Sequence, residues 1–409
     1  MIRSVILFWS LFLAILTTLY VISTIQSFSK AKVIICDSLL LSVFIYLSWN
    51  ISSWIWRKAP SFVKEKINPK NKAVFITGCD SGFGHALAKR LADYGFTVYA
   101  GCLFPSGKGA IELGKHSPDK IHIIKLDVTS QEDVDRARES VDKLIGSNHL
   151  HALVNNAGIL ASTEVEMGSM DPFIKQIDVN TIGLIRVTKA FLPLLRRPVG
   201  GIKVEEKEGG SVSGKEEGKR FEMDCEPGRV INIASLAGRF AIPGMVGYCL
   251  SKSAVISFSD GLRREMVKWG IDVITIEPHL FNTNLVNNEV NHKIIKDAWE
   301  ETSKEIRDVY GDTYFKGYQI FLNKILSSAR PSTYNVINTI FTAVIEQFIS
   351  PNYIVLGDLE SIRIFFWSLL PTRSLDYISY LAAISQTGLP IARIKNTYNK
   401  RKYDKGKTT

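Results

Sequence analysis

Little in this chain supports a disulfide scaffold or a metal centre. Five cysteines in 409 residues (Cys36, Cys79, Cys102, Cys225 and Cys249) are an odd number, scattered, with no CxxC pair. That spacing excludes a cross-linked framework and a cysteine zinc site, and the thiols read as reduced and cytosolic. The seven histidines supply no HExxH, and His149 and His151 flank the start of a strand, so no metal is expected. No repeat of fixed period is present, which excludes a solenoid or propeller.

A basic surface is also missing from the middle of the chain, despite a net charge of +10. Residues 57–72 hold Arg57, Lys58, Lys64, Lys66, Lys70 and Lys72 against Glu65. Residues 393–409 hold Arg393, Lys395, Lys400, Arg401, Lys402, Lys405 and Lys407 against Asp404. Those two flanks account for the whole excess, and what lies between is close to neutral. Nucleic-acid binding needs a phosphate-seeking surface on the globular part, so it is excluded here. A membrane explains charged flanks better.

The N-terminus carries the membrane signal. Val5–Ile25 is uncharged and about long enough to span a hydrocarbon core. A second apolar run, Val33–Trp56, has one acid, Asp37, and ends in Trp49, Trp54 and Trp56, rings that favour the headgroup interface. A cleaved signal peptide is the competing reading, but the first run exceeds a usual h-region and no clean small-residue site follows it. Two spans make a hairpin, and the basic run after Trp56 outweighs Lys30 and Lys32 between them, which puts the rest of the chain in the cytosol. With one span, the second run lies re-entrant or along the interface. Asn50-Ile51-Ser52 is a sequon inside that run and is not expected to be used. The ending Lys405-Gly406-Lys407-Thr408-Thr409 resembles a dilysine retrieval signal, which places the chain at the endoplasmic-reticulum membrane; a mitochondrial membrane is the alternative.

The expected organisation is a membrane anchor over 1–58, a basic linker over 59–72, a catalytic α/β domain over 73–360, and apolar segments with a basic tail over 361–409. Within 73–360, strand-like runs alternate with amphipathic helical runs, the pattern of a doubly wound parallel sheet. Seven strands are predicted: Ala73–Thr77, Thr97–Gly101, His122–Leu126, Ala152–Asn155, Arg229–Ala234, Asp272–Glu277 and Tyr353–Leu356. Helices are predicted over Phe83–Tyr94, Gln131–Ile145, Met170–Leu195 and Tyr248–Trp269. Residues 199–228 are rich in Gly, Glu and Lys and poor in large apolar groups, so they read as a mobile surface insert. Ile362–Leu370 and Tyr377–Ile384 are apolar but too short to span; they are expected to cap a cavity or dip into a membrane face.

Chemistry concentrates at the expected strand ends. Strand one runs into Thr77-Gly78-Cys79-Asp80-Ser81-Gly82-Phe83-Gly84 and then a helix. Glycines there let backbone approach a pyrophosphate seated at the helix N-terminus. Asp127, before Val128, ends the third strand, where a carboxylate can accept from an adenine amino group. Asn155-Asn156-Ala157-Gly158 ends the fourth, at the switch point. Ser235 precedes Tyr248 by thirteen residues, and Lys252 lies one helical turn beyond Tyr248. Tyr and Lys at i and i+4 share a face, so the ammonium is expected to lower the phenol toward a useful range for acid–base work. Ser235 can hold a substrate oxygen, and Asn180 can hold a water linking Lys252 to solvent.

These motifs together, with Pro278 after the sixth strand, resemble the short-chain dehydrogenase/reductase family over roughly residues 71–345. Phrases such as TGCDSGFGHALAKRL and SDGLRREMVKWGIDV are similar to its membrane-bound steroid and retinol dehydrogenases, the 17β-hydroxysteroid dehydrogenases included, and also to 3-hydroxybutyrate dehydrogenase. The resemblance implies hydride transfer between NAD and a secondary alcohol or ketone, with Asn180, Ser235, Tyr248 and Lys252 as catalytic residues. It implies cofactor contacts from Thr77, Gly78, Ser81, Gly82, Phe83, Gly84, Asp127, Val128, Asn155, Ala157, Tyr248, Lys252, Pro278 and Thr283. It also implies a homodimer through long helices. Where the family usually has Pro-Gly, this chain has Pro278-His279. No Arg or Lys stands at the glycine turn or the second strand's end, which favours NAD over NADP. Phe240, Ile242, Pro243, Met245, Val246, Leu280 and Phe281 are candidate walls for a lipophilic substrate, with Tyr310–Phe321 as an aromatic lid. The competing functions are 3-hydroxybutyrate oxidation, which needs a cation in the pocket, and a non-catalytic membrane scaffold.

Overall fold

Apolar runs buried on both faces need neighbours on every side, and a parallel sheet covered by helices supplies them. The computed structural model describes residues 13–14, 17–18, 41–42, 44–46, 48, 52, 65–146, 148–196, 228–286, 288–357, 360, 363–364, 367 and 370–387. They divide into two units, residues 1–68 with 345–349, and residues 69–344 with 350–409.

In the first unit the described residues of both apolar runs are helical. Thr17 and Thr18 donate back to the carbonyls of Leu13 and Ala14 at 2.7 and 2.9 Å, the usual way a hydroxyl is satisfied in an apolar helix. Among the described residues no helix is long and apolar enough to cross a membrane. Most of both expected spans, the insert 199–228 apart from Gly228, and the basic tail lie outside the described residues. Lys66 bridges antiparallel to Glu346, and the Ile67 amide donates to the Ile345 carbonyl at 2.7 Å.

The second unit holds the predicted seven-stranded sheet, parallel throughout, in the order β3-β2-β1-β4-β5-β6-β7. The strands are β1 Lys72–Thr77, β2 Thr97–Cys102, β3 Ile121–Lys125, β4 His149–Asn155, β5 Arg229–Ile233, β6 Asp272–Pro278 and β7 Asn352–Val355. Ala73, Val74, Phe75 and Ile76 of β1 are all fully buried, as a central strand requires. The order reverses between β1 and β4, so the turns leaving those two strands open one crevice at the carboxyl edge.

The helices are α1 Gly82–Tyr94, α2 Lys108–His116, α3 Gln131–Ile145, α4 Asp171–Ile177, α5 Leu184–Leu195, α6 Val246–Met266, α7 Asn288–Glu301, α8 Lys304–Ser327, α9 Tyr334–Ile345 and α10 Thr372–Thr387, of which α1, α2, α3, α5 and α6 pack on the strands while α8 packs on α7 and α10. Their ends follow local chemistry. Ser130 caps α3 by accepting from the Asp133 amide, and Glu132 and Asp133 face the positive end of its dipole. Gly95 ends α1 at φ 118°, a left-handed cap that glycine adopts without strain. Val134, Ala137, Val141 and Ile145 form the buried stripe of α3, and Phe191 of α5 stacks on Phe75 of β1 at 4.2 Å between centroids.

Several elements differ from expectation. Strand β4 starts at His149 rather than Ala152, because His151 enters the interior neutral: burial lowers its pKa to about 3, its ring stacks on Phe96, and Nε2 bonds the Val344 carbonyl at 2.9 Å. The long helix expected over Met170–Leu195 is α4 and α5 joined by a π-helical turn, Asp178–Gly183. Tyr310–Phe321 lies inside α8, which is broken at Gly311 (φ 76°, ψ 160°).

Candidate functional site

The turn after β1 is shaped by where atoms cannot go. Gly78 and Gly82 have φ of 69° and 65°, in the left-handed region, so a side chain at either is strained. A Cβ on Gly84 would stand 2.5 Å from the Gly78 carbonyl oxygen and 2.5 Å from Asn156 Nδ2, so the helix start and the turn are in backbone contact. Ser81, extended at the N-cap of α1, makes no side-chain capping bond, which leaves the first-turn amides free of it.

The turn after β4 braces the first. Thr77 Oγ1 accepts from the amides of Asn156 and Ala157, both at 2.9 Å. Asn156 in return donates through Nδ2 to the carbonyls of Thr77 and Gly78 at 2.9 and 3.0 Å. Asn156 was not singled out from sequence; its cue was the second Asn of the Asn-Asn-Ala-Gly run. Asn155 points inward instead, donating to Thr188 Oγ1 at 2.8 Å and Asn232 Oδ1 at 2.9 Å. Asp127 accepts the amide and hydroxyl of Thr129 at 2.9 and 2.7 Å, and the Val128 carbonyl accepts from Arg186 at 2.6 Å. A Cβ on Gly82 would lie 3.8 Å from Thr283, and Phe83 meets Phe281 edge-on at 6.2 Å, so the loop after β6 closes over the glycine turn.

Ser235, Tyr248 and Lys252 gather at the ends of β5 and β6. Ser235 leaves β5 extended, accepts from the Ala237 amide at 3.1 Å and lies 3.3 Å from the Pro278 carbonyl oxygen. Its hydroxyl is also close enough to that of Tyr248 to draw the phenol's pKa downward. Lys252 is buried, donates to the Ile233 carbonyl at 2.8 Å, and has its ammonium 5.8 Å from the Tyr248 ring centroid. A Cβ on Gly158 would be 3.5 Å from Lys252 Nζ and 3.3 Å from Asn180 Oδ1. Gly158 therefore faces both polar groups, a position that sequence reasoning did not single out.

Two expectations change. Burial pushes the Tyr248 hydroxyl up to about 12, with the Ser235 hydroxyl pulling it partly back, so the phenol is an acid here and not a ready phenolate. Burial also lowers Lys252 to about 8. Desolvation of both groups outweighs the attraction expected from their i, i+4 spacing. The Asn180 side chain, assigned a water from sequence, is engaged elsewhere: Oδ1 accepts from the Ile159 amide at 2.8 Å, while Nδ2 donates to the Ile159 carbonyl at 2.9 Å and Ser251 Oγ at 3.0 Å. It sits in the π turn, an irregularity frequent at functional sites.

Tyr248 faces an apolar cluster that includes Leu160, Ile242, Met245, Leu280, Tyr318 and Leu322. Of the other expected wall residues, Phe281 is buried against Phe83, Phe240 meets Trp367 edge-on at 6.5 Å, and Val246 is exposed. Arg239, on the loop after Ser235, is held by the fully buried Glu277 through a bidentate pair of 2.8 and 2.9 Å. Arg330 pairs with Glu360 at 2.6 Å. His279 is half-buried with its pKa lowered, burial first among the causes, and its Nδ1 has no partner among the described residues. Tyr314 and Tyr310 donate to Glu164 and Glu166, both at 2.6 Å, tying α8 to the loop before α4.

The short chain dehydrogenase family profile matches residues 72–212 and 217–294. Short-chain dehydrogenase/reductase family 9C member 7 of Homo sapiens is 37% identical over 281 residues, 68% of this chain and 80% of that protein. Estradiol 17-beta-dehydrogenase 2 of Mus musculus is 31% identical over 347 residues, 84% of this chain and 81% of that protein. Retinol dehydrogenase 16 of Rattus norvegicus is 36% identical over 276 residues, 66% of this chain and 76% of that protein. Among solved structures, a 3-ketoacyl-(acyl-carrier-protein) reductase from Brucella melitensis complexed with NADH shares the fold with a TM-score of 0.50 at 22% identity, covering 71% of this chain and 99% of that one.

Proposed function

The chain belongs to the short-chain dehydrogenase family, in its steroid and retinol dehydrogenase branch, and from that premise we propose NAD-dependent oxidation of a lipophilic secondary alcohol, a 17β-hydroxysteroid or retinol. It is an oxidoreductase acting on CH–OH donors through a nicotinamide cofactor. The observation that carries the substrate class is the surrounding of Tyr248: its hydroxyl stands beside Ser235 while its ring packs in the apolar cluster of Met245, Leu280 and Tyr318. Apolar walls with few polar handles suit a lipid alcohol. A small hydroxy acid needs a free cation, and Arg239 and Arg330 are each held by a carboxylate.

The residues fit a dinucleotide. Gly78, Gly82 and Gly84 leave no side chain in the turn, Ser81 does not cap the α1 amides, and Thr283 faces Gly82. Gly78, Ser81, Gly82, Phe83 and Gly84 would hold the pyrophosphate, Asp127 and Val128 the adenine side, and Ala157, Pro278 and Thr283 the nicotinamide end. Bound there, the nicotinamide supplies the hydride acceptor. Ser235 holds the substrate oxygen beside Tyr248. Tyr248 must first shed its own proton, because burial keeps it on the oxygen. Lys252, buried and drawn down to about 8, sits where it can take part in that transfer and stabilise the phenolate. In the reduction direction Tyr248 is already in the acid form that the carbonyl oxygen needs.

The apolar N-terminal runs and basic flanks support an anchor in the endoplasmic-reticulum membrane with the α/β domain cytosolic, as the setting for a bilayer-partitioned substrate, and the family resemblance favours a homodimer. The test is NADH formation by full-length protein in detergent or microsomes with estradiol, testosterone, retinol and 3-hydroxybutyrate in parallel. Turnover of a steroid or retinol supports the reading. Turnover of 3-hydroxybutyrate alone overturns the substrate class, and silence on all four with NAD+ still bound favours a scaffold.

A further inference from the structure

Dinucleotide folds usually read the adenosine ribose with an acidic residue at the end of the second strand, about twenty residues past the glycine motif. This chain has none there: β2 runs out through Gly101, Cys102, Leu103 and Phe104. The acid arrives from the other direction. Asp80, inside the glycine turn, crosses to that strand end, and its carboxylate accepts the Leu103 amide on one oxygen and the Phe104 amide on the other, both at 2.9 Å.

Two further contacts hold the backbone at Asp80 in place. The Cys79 amide donates to the Gly101 carbonyl at 2.9 Å, joining the turn to β2 one residue before Asp80. A Cβ on Gly109 would fall 1.9 Å from the Asp80 carbonyl oxygen, so the first turn of α2 is seated on the Asp80 backbone. Burial raises the pKa of both neighbouring thiols; the Asp80 charge adds to this at Cys102, and at Cys79 it adds less than Cys102 does. Each oxygen keeps a further lone pair after accepting one amide. Leu103 and Phe104 are exposed, and so is Lys108, the only cation in the sequence from 103 to 108.

We propose that Asp80 selects the cofactor, admitting a dinucleotide with a free ribose 2′-hydroxyl and turning away one with a 2′-phosphate. A hydroxyl can donate to the remaining lone pairs, whereas a phosphate brings like charge against a carboxylate that two amides prevent from swinging aside. The inference rests on the reading of Thr77–Gly84 as the dinucleotide site and gives the preference for NAD a specific cause.

The experiment is titration of full-length protein in detergent with NAD+ and with NADP+, for the wild type and Asp80→Asn, across a series of salt concentrations. In the wild type the ratio of the NADP+ Kd to the NAD+ Kd should exceed ~10 at low salt, since like-charge juxtaposition is worth several kcal/mol. That ratio should shrink several-fold between roughly 0.02 and 0.5 M salt as the repulsion is screened. Asp80→Asn should lower the ratio about tenfold and remove its salt dependence. Loosening of the 103–104 loop in the variant would weaken both dinucleotides together and leave the ratio where it was, so a structural role does not imitate the result. Should the variant not fold, the salt series on the wild type decides alone. A preference for NAD+ whose ratio ignores both salt and Asp80→Asn overturns the role of Asp80 only. A wild type that binds neither dinucleotide, or binds NADP+ more tightly, overturns the underlying NAD reading.

Discussion

Lowering the pH from about 7 to about 5 should weaken the sheet unit through His151, near the start of β4. Its ring is buried, stacked on Phe96 at 5.8 Å, and donates from Nε2 to the Val344 carbonyl at 2.9 Å. An unfolded chain titrates this histidine near 6.5 and the folded one near about 3, with burial the main cause and the Arg229 guanidinium the next. A folded pKa below the unfolded one means the contribution is complete above 6.5 and is lost as pH falls through that value toward 3. Between about pH 7 and pH 5 the loss comes to about 2 kcal/mol, or roughly 4 °C in Tm for a domain of this size. The assay is thermal unfolding of the wild type and His151→Gln at both pH values. Glutamine can still donate to Val344 but cannot take a proton. The wild type should lose about 2 kcal/mol more than the variant on acidification; equal losses would refute the reasoning and put the acid sensitivity elsewhere.

Four further outcomes are expected. Tyr248→Phe should cut turnover by about 10²–10⁴ while dinucleotide titration still shows binding, because only the transferable proton is removed. In the wild type, alcohol oxidation should climb with pH toward the point near 8 where Lys252 discharges and then flatten, whereas carbonyl reduction should not climb; stopped pH series in both directions check this. Gly84→Ala forces a methyl against the Gly78 carbonyl and the Asn156 amide, costing about 1–3 kcal/mol by overpacking and weakening dinucleotide affinity, measurable by titration and melting. Arg239→Ala leaves the fully buried Glu277 without its bidentate partner and should cost about 3 kcal/mol, against less for Glu277→Gln, whose bereaved Arg239 is part-exposed; melting of the two variants separates them.

Each strand of the sheet was legible in the sequence because a buried parallel strand leaves a short apolar run bounded by turn residues, and such runs are hard to read otherwise. What escaped has physical causes. Helix α2 (KGAIELGKH) carries glycines at 109 and 114, which sequence reasoning takes as loop; Gly109 is needed there because the Asp80 carbonyl occupies the space of a side chain. The start of β4 was set too late because histidine counts as polar, whereas a neutral buried imidazole packs like an aromatic ring. The site residues were legible as motifs, since Ser235, Tyr248 and Lys252 converge as their spacing implies. Their titration was not: i, i+4 spacing reports proximity, while burial, which the sequence does not display, sets the larger effect on Tyr248 and Lys252. The aromatic segment from Tyr310 reads as a lid by composition, and its Tyr314, Phe315, Tyr318 and Phe321 do pack in the cluster that holds Ile242, Met245 and Leu280; what composition does not show is that they lie on a helix, broken at Gly311.

The parallel sheet has a further consequence for how such a chain can change over evolutionary time. Every strand ends at the same edge, so the turns that follow β1, β4, β5 and β6 open on one crevice, while the opposite edge holds His151 and Arg229 bonding the carbonyls that finish α9. Substitutions at the second edge alter how long each folded copy survives, whereas those at the first, as at Gly84, alter survival and dinucleotide affinity together. The amount of folded protein can thus drift without touching the crevice, but the crevice cannot drift without touching the amount.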